Sequence, residues 1–160
     1  MLDDEVRIRL AITEDSEKLS DIAWQSKKYS GVDSNRLNEL REILDIKPSL
    51  IENNIAYVAE NIETEEILGF YVLESSADKY WLRYLCVVPD YMGAGIGEML
   101  FLSACEMAEE VGAEELQILC DETTEEFYIN MGAEPCGQSL LQICGKSHVF
   151  QQLQLLLVND

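Results

Sequence analysis

The chain has 160 residues, a length that fits one domain over residues 1–160 with a sizeable hydrophobic core. Its 31 acidic and 11 basic residues give a net charge of −20, which argues against nucleic acid or an anionic membrane as a partner. This charge favours a cationic partner such as an amine; the alternative is an acidic surface that only aids solubility or suits a salt-adapted source.

The cysteines are odd in number and form no C-x-x-C pair, which predicts mostly buried thiols in a reducing cytoplasm. They are Cys86, Cys105, Cys120, Cys136 and Cys144. The sequence contains no signal peptide and no apolar run that could span a membrane. We expect no metal site, and a homodimer is left open.

The N-terminal part of the chain predicts one strand and two helices. Residues 6–12 alternate as in a strand, and residues 13–15 offer N-caps for a helix that ends at Gly31. A second helix, with Leu37, Leu40 and Leu44 inside it, begins at Asp33 or Ser34. It stops at Lys47-Pro48, because proline breaks a helix interior.

A three-strand meander follows, with strands at residues 55–60, 67–74 and 80–88. The last of these strands leads into a turn that contains Gly93, Gly95 and Gly97. A helix comes directly after the turn, with Leu100, Ala104, Met107, Ala108 and Val111 on one face and Gly112 as its cap. A glycine turn at a helix N-terminus can bind a phosphate, although a tight turn without a ligand is the alternative.

The C-terminal part predicts a buried strand, a short helix and two more strands. The first strand covers residues 115–120, and Thr123 with Glu126 matches a capping box for a helix that ends at Gly132. The last strands cover residues 139–143 and 150–158. The whole order indicates an α/β or α+β fold, with a largely antiparallel sheet flanked by helices and a central β-α-β crossover.

Several other catalytic patterns fail. His148 is the only histidine, which excludes an H-E-x-x-H zinc site and a histidine-based triad, and we expect it in a surface loop. Residues 145–147 resemble the end of a P-loop, but Leu140 stands where its first glycine belongs. A dinucleotide site would use Asp121 for the ribose, but Glu98 replaces its third glycine.

The sequence resembles the GNAT superfamily of N-acyltransferases. Residues 87–97, VVPDYMGAGIG, are similar to the acyl-CoA motif V-x-P-x-[YF]-[RQ]-G-x-G-[IV]-G of that family. Phe127-Tyr128 with Gly132-Ala133 looks like its second signature, F-Y-x-x-x-G-F. The order of elements also matches over nearly the whole chain. The resemblance implies a GNAT-like fold and acetyl-CoA as cosubstrate.

The resemblance also implies roles for particular residues. The pyrophosphate of coenzyme A would rest on the backbone of Gly93, Ala94, Gly95, Ile96 and Gly97, next to Met92 and with Phe127 nearby. The pantetheine arm would pair with Leu85, Cys86 and Val87, in a gap between the strands that end at Val88 and Cys120. An N–H near Val87 would stabilise the oxyanion, and Tyr128 would protonate the departing thiolate.

Two departures separate the chain from the family pattern. Met92 replaces the usual arginine or glutamine. The strand before the motif has Leu82, Arg83 and Tyr84 where the family often carries a glutamate, and Glu74 on the neighbouring strand is only a weak substitute for that base. We therefore carry two hypotheses. The first is an N-acetyltransferase that moves the acetyl group to a primary amine of a small molecule or peptide by direct attack. The second is a non-catalytic acyl-CoA-binding or protein-interaction module on the same fold.

Overall fold

The computed structural model describes residues 5–143 and 145–157. The strands are β1 (Val6–Leu10), β2 (Ile55–Asn61), β3 (Ile67–Ser76), β4 (Lys79–Val87), β5 (Glu115–Cys120), β6 (Glu134–Ile143) and β7 (Lys146–Leu156). The helices are α1 (Ser16–Tyr29), α2 (Ser34–Glu39), α3 (Pro48–Asn53), α4 (Ile96–Glu110) and α5 (Glu125–Asn130). Short 3₁₀ turns lie at Thr13–Asp15 and Pro89–Tyr91.

All seven strands form one sheet in the order β1-β2-β3-β4-β5-β7-β6. Every neighbouring pair is antiparallel except β4 and β5, which are parallel and are joined through α4. The predicted fold class, with its β-α-β crossover, is confirmed. No helix among the described residues is long and apolar enough to cross a membrane.

The sheet separates two hydrophobic cores because side chains alternate between the faces of a strand. In β3, Tyr71 and Leu73 belong to the core under α4, whereas Phe70 and Val72 belong to the core under α1, α2 and α3. Every residue of this strand from Ile67 to Leu73 is buried. The sheet is therefore covered on both faces, and the fully buried part of β3 lies beside β4.

The second predicted helix is wrong in its extent. Asp33 does cap α2, since its side chain accepts a hydrogen bond from the Arg36 amide, but this helix ends at Glu39. Turns follow, in which Leu40 and Leu44 are buried without being helical. Pro48 begins α3 instead of ending a helix, because proline at the first helical position gives up only an amide that lacks an intrahelical partner.

The predicted capping box before α5 is also wrong. The N-cap is Thr124, whose side chain makes no capping bond. Asp121 instead holds the preceding turn, because its Oδ1 accepts hydrogen bonds from the amides of Thr123 and Thr124 at 3.0 and 3.2 Å. The last two strands are longer than predicted at their N-terminal ends, and residue 158 of the second prediction lies outside the described residues.

His148 does not lie in a surface loop. It lies in β7 opposite Leu141 of β6, and only 4% of its surface is exposed. The cysteines also differ from expectation, because Cys120 is buried, Cys86 and Cys105 are half-buried, and Cys136 is exposed. Cys144 lies outside the described residues.

Candidate active site

The candidate site is a gap between two parallel strands that separate. Strands β4 and β5 pair only from Tyr80 to Leu82 on one side and from Leu116 to Ile118 on the other. Immediately afterwards Arg83 forms a bulge, because Leu82 pairs with Leu73 of β3 and Tyr84 pairs with the preceding Val72. A bulge bends its strand, so β4 leaves β5 at this point. We call the space between residues 83–87 and 119–120 the strand gap.

The backbone of β4 offers unpaired groups to the strand gap. The Val88 amide donates to the Leu68 carbonyl of the β3 segment at 2.8 Å. Hydrogen-bonding direction alternates along an antiparallel strand, so the amides of Leu85 and Val87 point away from β3 and into the gap. The Cys86 amide, in contrast, points toward β3. An extended polar chain in the gap could therefore pair with Leu85 and Val87.

The glycine turn lies at one end of the strand gap. Gly93 and Gly95 have φ angles of +84° and +90°, and a Cβ atom on either would meet no atom within 4 Å. Left-handed backbone favours glycine, and the open space lets a ligand approach the main chain. Gly95 caps α4, whose first amides have no intrahelical partner. The Ala94 amide already donates to the Tyr91 carbonyl at 3.2 Å, and the Ile96 side chain is buried in the core.

A pocket of about 440 Å³ lies over this turn, and we call it the cradle pocket. It is lined by Gly93, Gly95 and Gly97, by Met92 and by Phe127, with Leu85 and Val87 at the strand gap. Its one charged lining residue among the described residues is Glu98. The structure thus brings together most of the predicted cofactor-binding residues, while Cys86, Ala94 and Ile96 do not line this pocket.

A second space of about 440 Å³, the inner cleft, lies on the other side of the strand gap. It shares five lining residues with the cradle pocket: Ser26, Leu85, Met92, Thr124 and Tyr128. Its apolar wall is formed by Ala23, Leu40, Ile43, Leu44, Tyr84 and Phe150. Because the two spaces have common walls, a ligand in one would meet a ligand in the other close to Tyr128.

Tyr128 is held by an aromatic cluster. Its ring lies 5.8 Å from that of Phe101 and 5.2 Å from that of Phe127, measured between centroids. The residue is only 6% exposed, and no described residue is hydrogen-bonded to its hydroxyl. Burial, followed by the nearby Cys86, Cys120 and Asp121 side chains, raises the pKa of Tyr128 well above its ordinary value. The hydroxyl therefore stays protonated and available to donate a hydrogen bond.

An ion pair crosses the inner cleft. Lys27 near the end of α1 is paired with Asp121 at the end of β5, and their side chains are 22% and 17% exposed. Burial would raise the pKa of Asp121, but the charge of Lys27 and hydrogen bonds from Lys27, Thr123 and Thr124 outweigh it and lower that pKa to about 2. Sequence reasoning missed Lys27, and it considered Asp121 only as a ribose ligand.

The remaining polar residues of the site have limited chemical roles. Burial raises the pKa of the Cys86 thiol to about 12, so it is a poor nucleophile. Glu74 binds Arg83 at 3.0 Å and does not line the inner cleft, which leaves it without contact to a ligand there. Asp121 is a poor base, because its conjugate acid is far too strong at neutral pH.

Comparison with known protein families gives one match. The model described as "Acetyltransferase (GNAT) domain" matches residues 52–132, about half of the chain. These residues run from α3 to the end of α5 and include the strand gap, the glycine turn and Tyr128. No curated protein sequence gives a significant match.

Solved structures of similar fold cover nearly the whole chain. A GCN5-related N-acetyltransferase from Rhodopseudomonas palustris has a TM-score of 0.82 at 18% identity, over 96% of each chain. The PaiA N-acetyltransferase from Thermoplasma acidophilum, in complex with coenzyme A, has a TM-score of 0.71 at 19% identity, over 94% of this chain and 98% of that one. YncA from Salmonella typhimurium, with its cofactor acetyl-CoA, has a TM-score of 0.65 at 18% identity, over 97% and 95%.

Proposed function

The chain belongs to the GNAT acetyltransferase family, and from this premise we propose that it moves an acetyl group from acetyl-CoA to a primary amine of a small molecule or peptide. Membership of the family supports acyl-CoA-dependent acetyl transfer in general. The finer proposal rests on the strand gap. The gap opens on the glycine turn and on the apolar inner cleft, and Tyr128 lies on the wall that these two spaces share.

The residues around the glycine turn fit a nucleotide cosubstrate. Positive φ angles at Gly93 and Gly95, open space above them and the first amides of α4 suit a pyrophosphate. The amides of Leu85 and Val87 suit an extended pantetheine arm in the strand gap. Met92 and Phe127 complete the pocket wall. When bound, acetyl-CoA supplies an activated thioester to the site.

The chain's own groups would assist a direct attack. The amine nitrogen bonds to the thioester carbonyl carbon, the C–S bond breaks, and the amine proton goes to water. The Val87 amide would donate a hydrogen bond to the oxyanion, Tyr128 would donate a proton to the departing sulfur, and water would then return a proton to the Tyr128 oxygen. Because the pKa of Asp121 is lowered to about 2 and Glu74 does not line the inner cleft, we assign no protein base, and the amine enters neutral.

The inner cleft supports an acceptor with an apolar body. Its lining is mostly aliphatic and aromatic, and it holds the ionic side chains of Lys27, Arg83 and Asp121. The net charge of −20 would attract amines from solution, since most are cationic there. The four described cysteines are free thiols, which is consistent with the reducing cytoplasm that we propose as the compartment.

A second candidate is a non-catalytic module that binds acyl-CoA. Two observations favour it: none of the described residues that line the cradle pocket is a cation, and the one carboxylate among the described residues of the inner cleft, that of Asp121, is a poor base. The deciding experiment measures thiol release from acetyl-CoA over a panel of primary amines, with calorimetric CoA binding in parallel. Thiol release that requires an amine supports the enzyme. Tight CoA binding without release from any amine would support the module instead.

A further inference from the structure

We infer that Lys27 provides the positive charge that holds the phosphate groups of the cosubstrate, and that Asp121 keeps this charge at the strand gap until the cosubstrate binds. The inference rests on the proposed function. It assigns a cofactor-binding role to a residue outside the glycine motif, on a helix that lies on the other side of the cleft.

None of the described residues that line the cradle pocket is a cation. Met92 is 39% exposed and uncharged at the position beside the turn. Among the described residues that line the pocket, Glu98 alone is charged, and its carboxylate would repel phosphates. A chain with a net charge of −20 adds to that repulsion. A positive side chain from elsewhere would therefore add to the attraction of the backbone amides and the helix dipole.

Lys27 is the cation best placed for this task. The preceding residue, Ser26, lines the cradle pocket together with Met92 and Gly93, and Lys27 itself lines the adjoining inner cleft. Arg83 is the other cation of the inner cleft, but it is bound to Glu74 on the neighbouring strand. A lysine side chain has four rotatable methylene groups, so on this inference the ammonium would turn from Asp121 toward the adjoining cradle pocket when the cosubstrate binds.

The present partner of Lys27 can release it. Asp121 Oδ2 binds the ammonium, while Oδ1 accepts hydrogen bonds from the amides of Thr123 and Thr124 at the start of α5. These bonds keep the carboxylate fixed and stabilise its charge after Lys27 leaves. The phosphates of CoA carry several negative charges, whereas Asp121 carries one. The electrostatic attraction on the ammonium is therefore stronger when it moves from Asp121 to the phosphates.

The test compares two neighbouring lysines by calorimetry at low salt. Lys27→Met should weaken CoA binding about 10-fold, a typical loss for one charge-assisted hydrogen bond, and this loss should shrink as salt rises. Lys28→Met removes the same charge from an exposed position and should change the affinity less than 2-fold. Lys27→Arg keeps the charge and should retain affinity within about 3-fold. Asp121→Asn frees the ammonium and should strengthen binding.

Pantetheine, which carries no phosphate, is the second probe. Its affinity should be the same for the wild type and Lys27→Met if the ammonium acts on phosphates. Equal losses of CoA affinity in the Lys27 and Lys28 variants would overturn the inference, as would a parallel loss of pantetheine binding or tighter CoA binding by Lys27→Met. A wild type that binds no CoA would instead overturn the proposed function, and this inference with it.

Discussion

Replacing Tyr128 by phenylalanine separates the chemical role of its hydroxyl from the packing of its ring. The ring contacts Phe101 and Phe127, and phenylalanine preserves those contacts. The hydroxyl is not hydrogen-bonded to any described residue, so no protein hydrogen bond is lost. We expect the free energy of unfolding to stay within about 1 kcal/mol of the wild type, and the melting temperature within about 2–4 °C.

The same change should lower the catalytic rate. General acids contribute about 10²- to 10⁴-fold, and a thiolate leaves well without help. Burial raises the pKa of Tyr128, which makes it a weaker acid and places the effect at the low end of that range. We expect kcat to fall about 10²-fold, or about 2.7 kcal/mol, with unchanged acetyl-CoA affinity. Because the acid works in its protonated form, wild-type kcat should show no loss from Tyr128 ionisation below pH 10.

Tyr71 provides the matched control. Its hydroxyl is hydrogen-bonded to Ser103 of α4 at 2.9 Å, in the core and away from both pockets. Tyr71→Phe should therefore cost about 0.5–1.5 kcal/mol of stability and leave kcat unchanged. Steady-state kinetics and calorimetry on both variants test the reasoning. Full kcat in Tyr128→Phe, or a loss that only follows a lowered melting temperature, would remove Tyr128 from the catalytic step.

Three further changes test other parts of the site and fold. Met92→Arg should strengthen CoA binding by about 0.5–3 kcal/mol at low salt, with a smaller gain at high salt; no gain would show that position 92 does not face the phosphates. His148→Leu should raise the melting temperature by about 2–4 °C, because it removes a buried imidazole whose two nitrogens have no hydrogen-bond partner among the described residues, and because the carboxylate of Glu39, 3.6 Å away, keeps its ion pair with Lys146; a lower value in calorimetry would contradict this. The pKa of Asp121 is lowered to about 2, so its stabilising effect should be complete above an ordinary carboxyl pKa of about 3.9 and vanish as the pH falls toward 2. In urea unfolding, the stability difference between wild type and Asp121→Asn should follow that course, and a constant difference down to pH 2 would refute it.

Local patterns in the sequence were enough to predict most of the elements. The strand at residues 115–120 was predicted at its observed bounds, and the helix predicted after the glycine turn is present, although it begins at Ile96 and includes Gly97. These patterns predict structure well because each one depends only on residues close together in the chain: an apolar run, a glycine with positive φ, or helical spacing. The same local motif was sufficient to indicate the family before any contact was known.

Elements whose form depends on distant contacts could not be predicted in this way. Pro48 can stop one helix or begin another, and only the packing of Ile51 in the core under α1 decides that it begins α3. His148 looked like a loop residue, because a polar residue between Gly145 and an apolar run gives no sign of burial. The pairing of β7 with β6 and the contact with Glu39 of α2, 3.6 Å away, place it inside.

Some parts of the candidate site could likewise be predicted from local sequence, and others depend on tertiary contacts. The sequence by itself indicated the glycine turn and the strands beside it, since each is a local pattern, and the resemblance to the GNAT family predicted Tyr128. The tertiary structure alone decided where β4 leaves β5, because the bulge at Arg83 is defined by its register with β3. It also brought Lys27 to Asp121 across a separation of 94 residues. No spacing rule relates two such charges, because their distance depends on how α1 packs over the sheet and not on the chain between them.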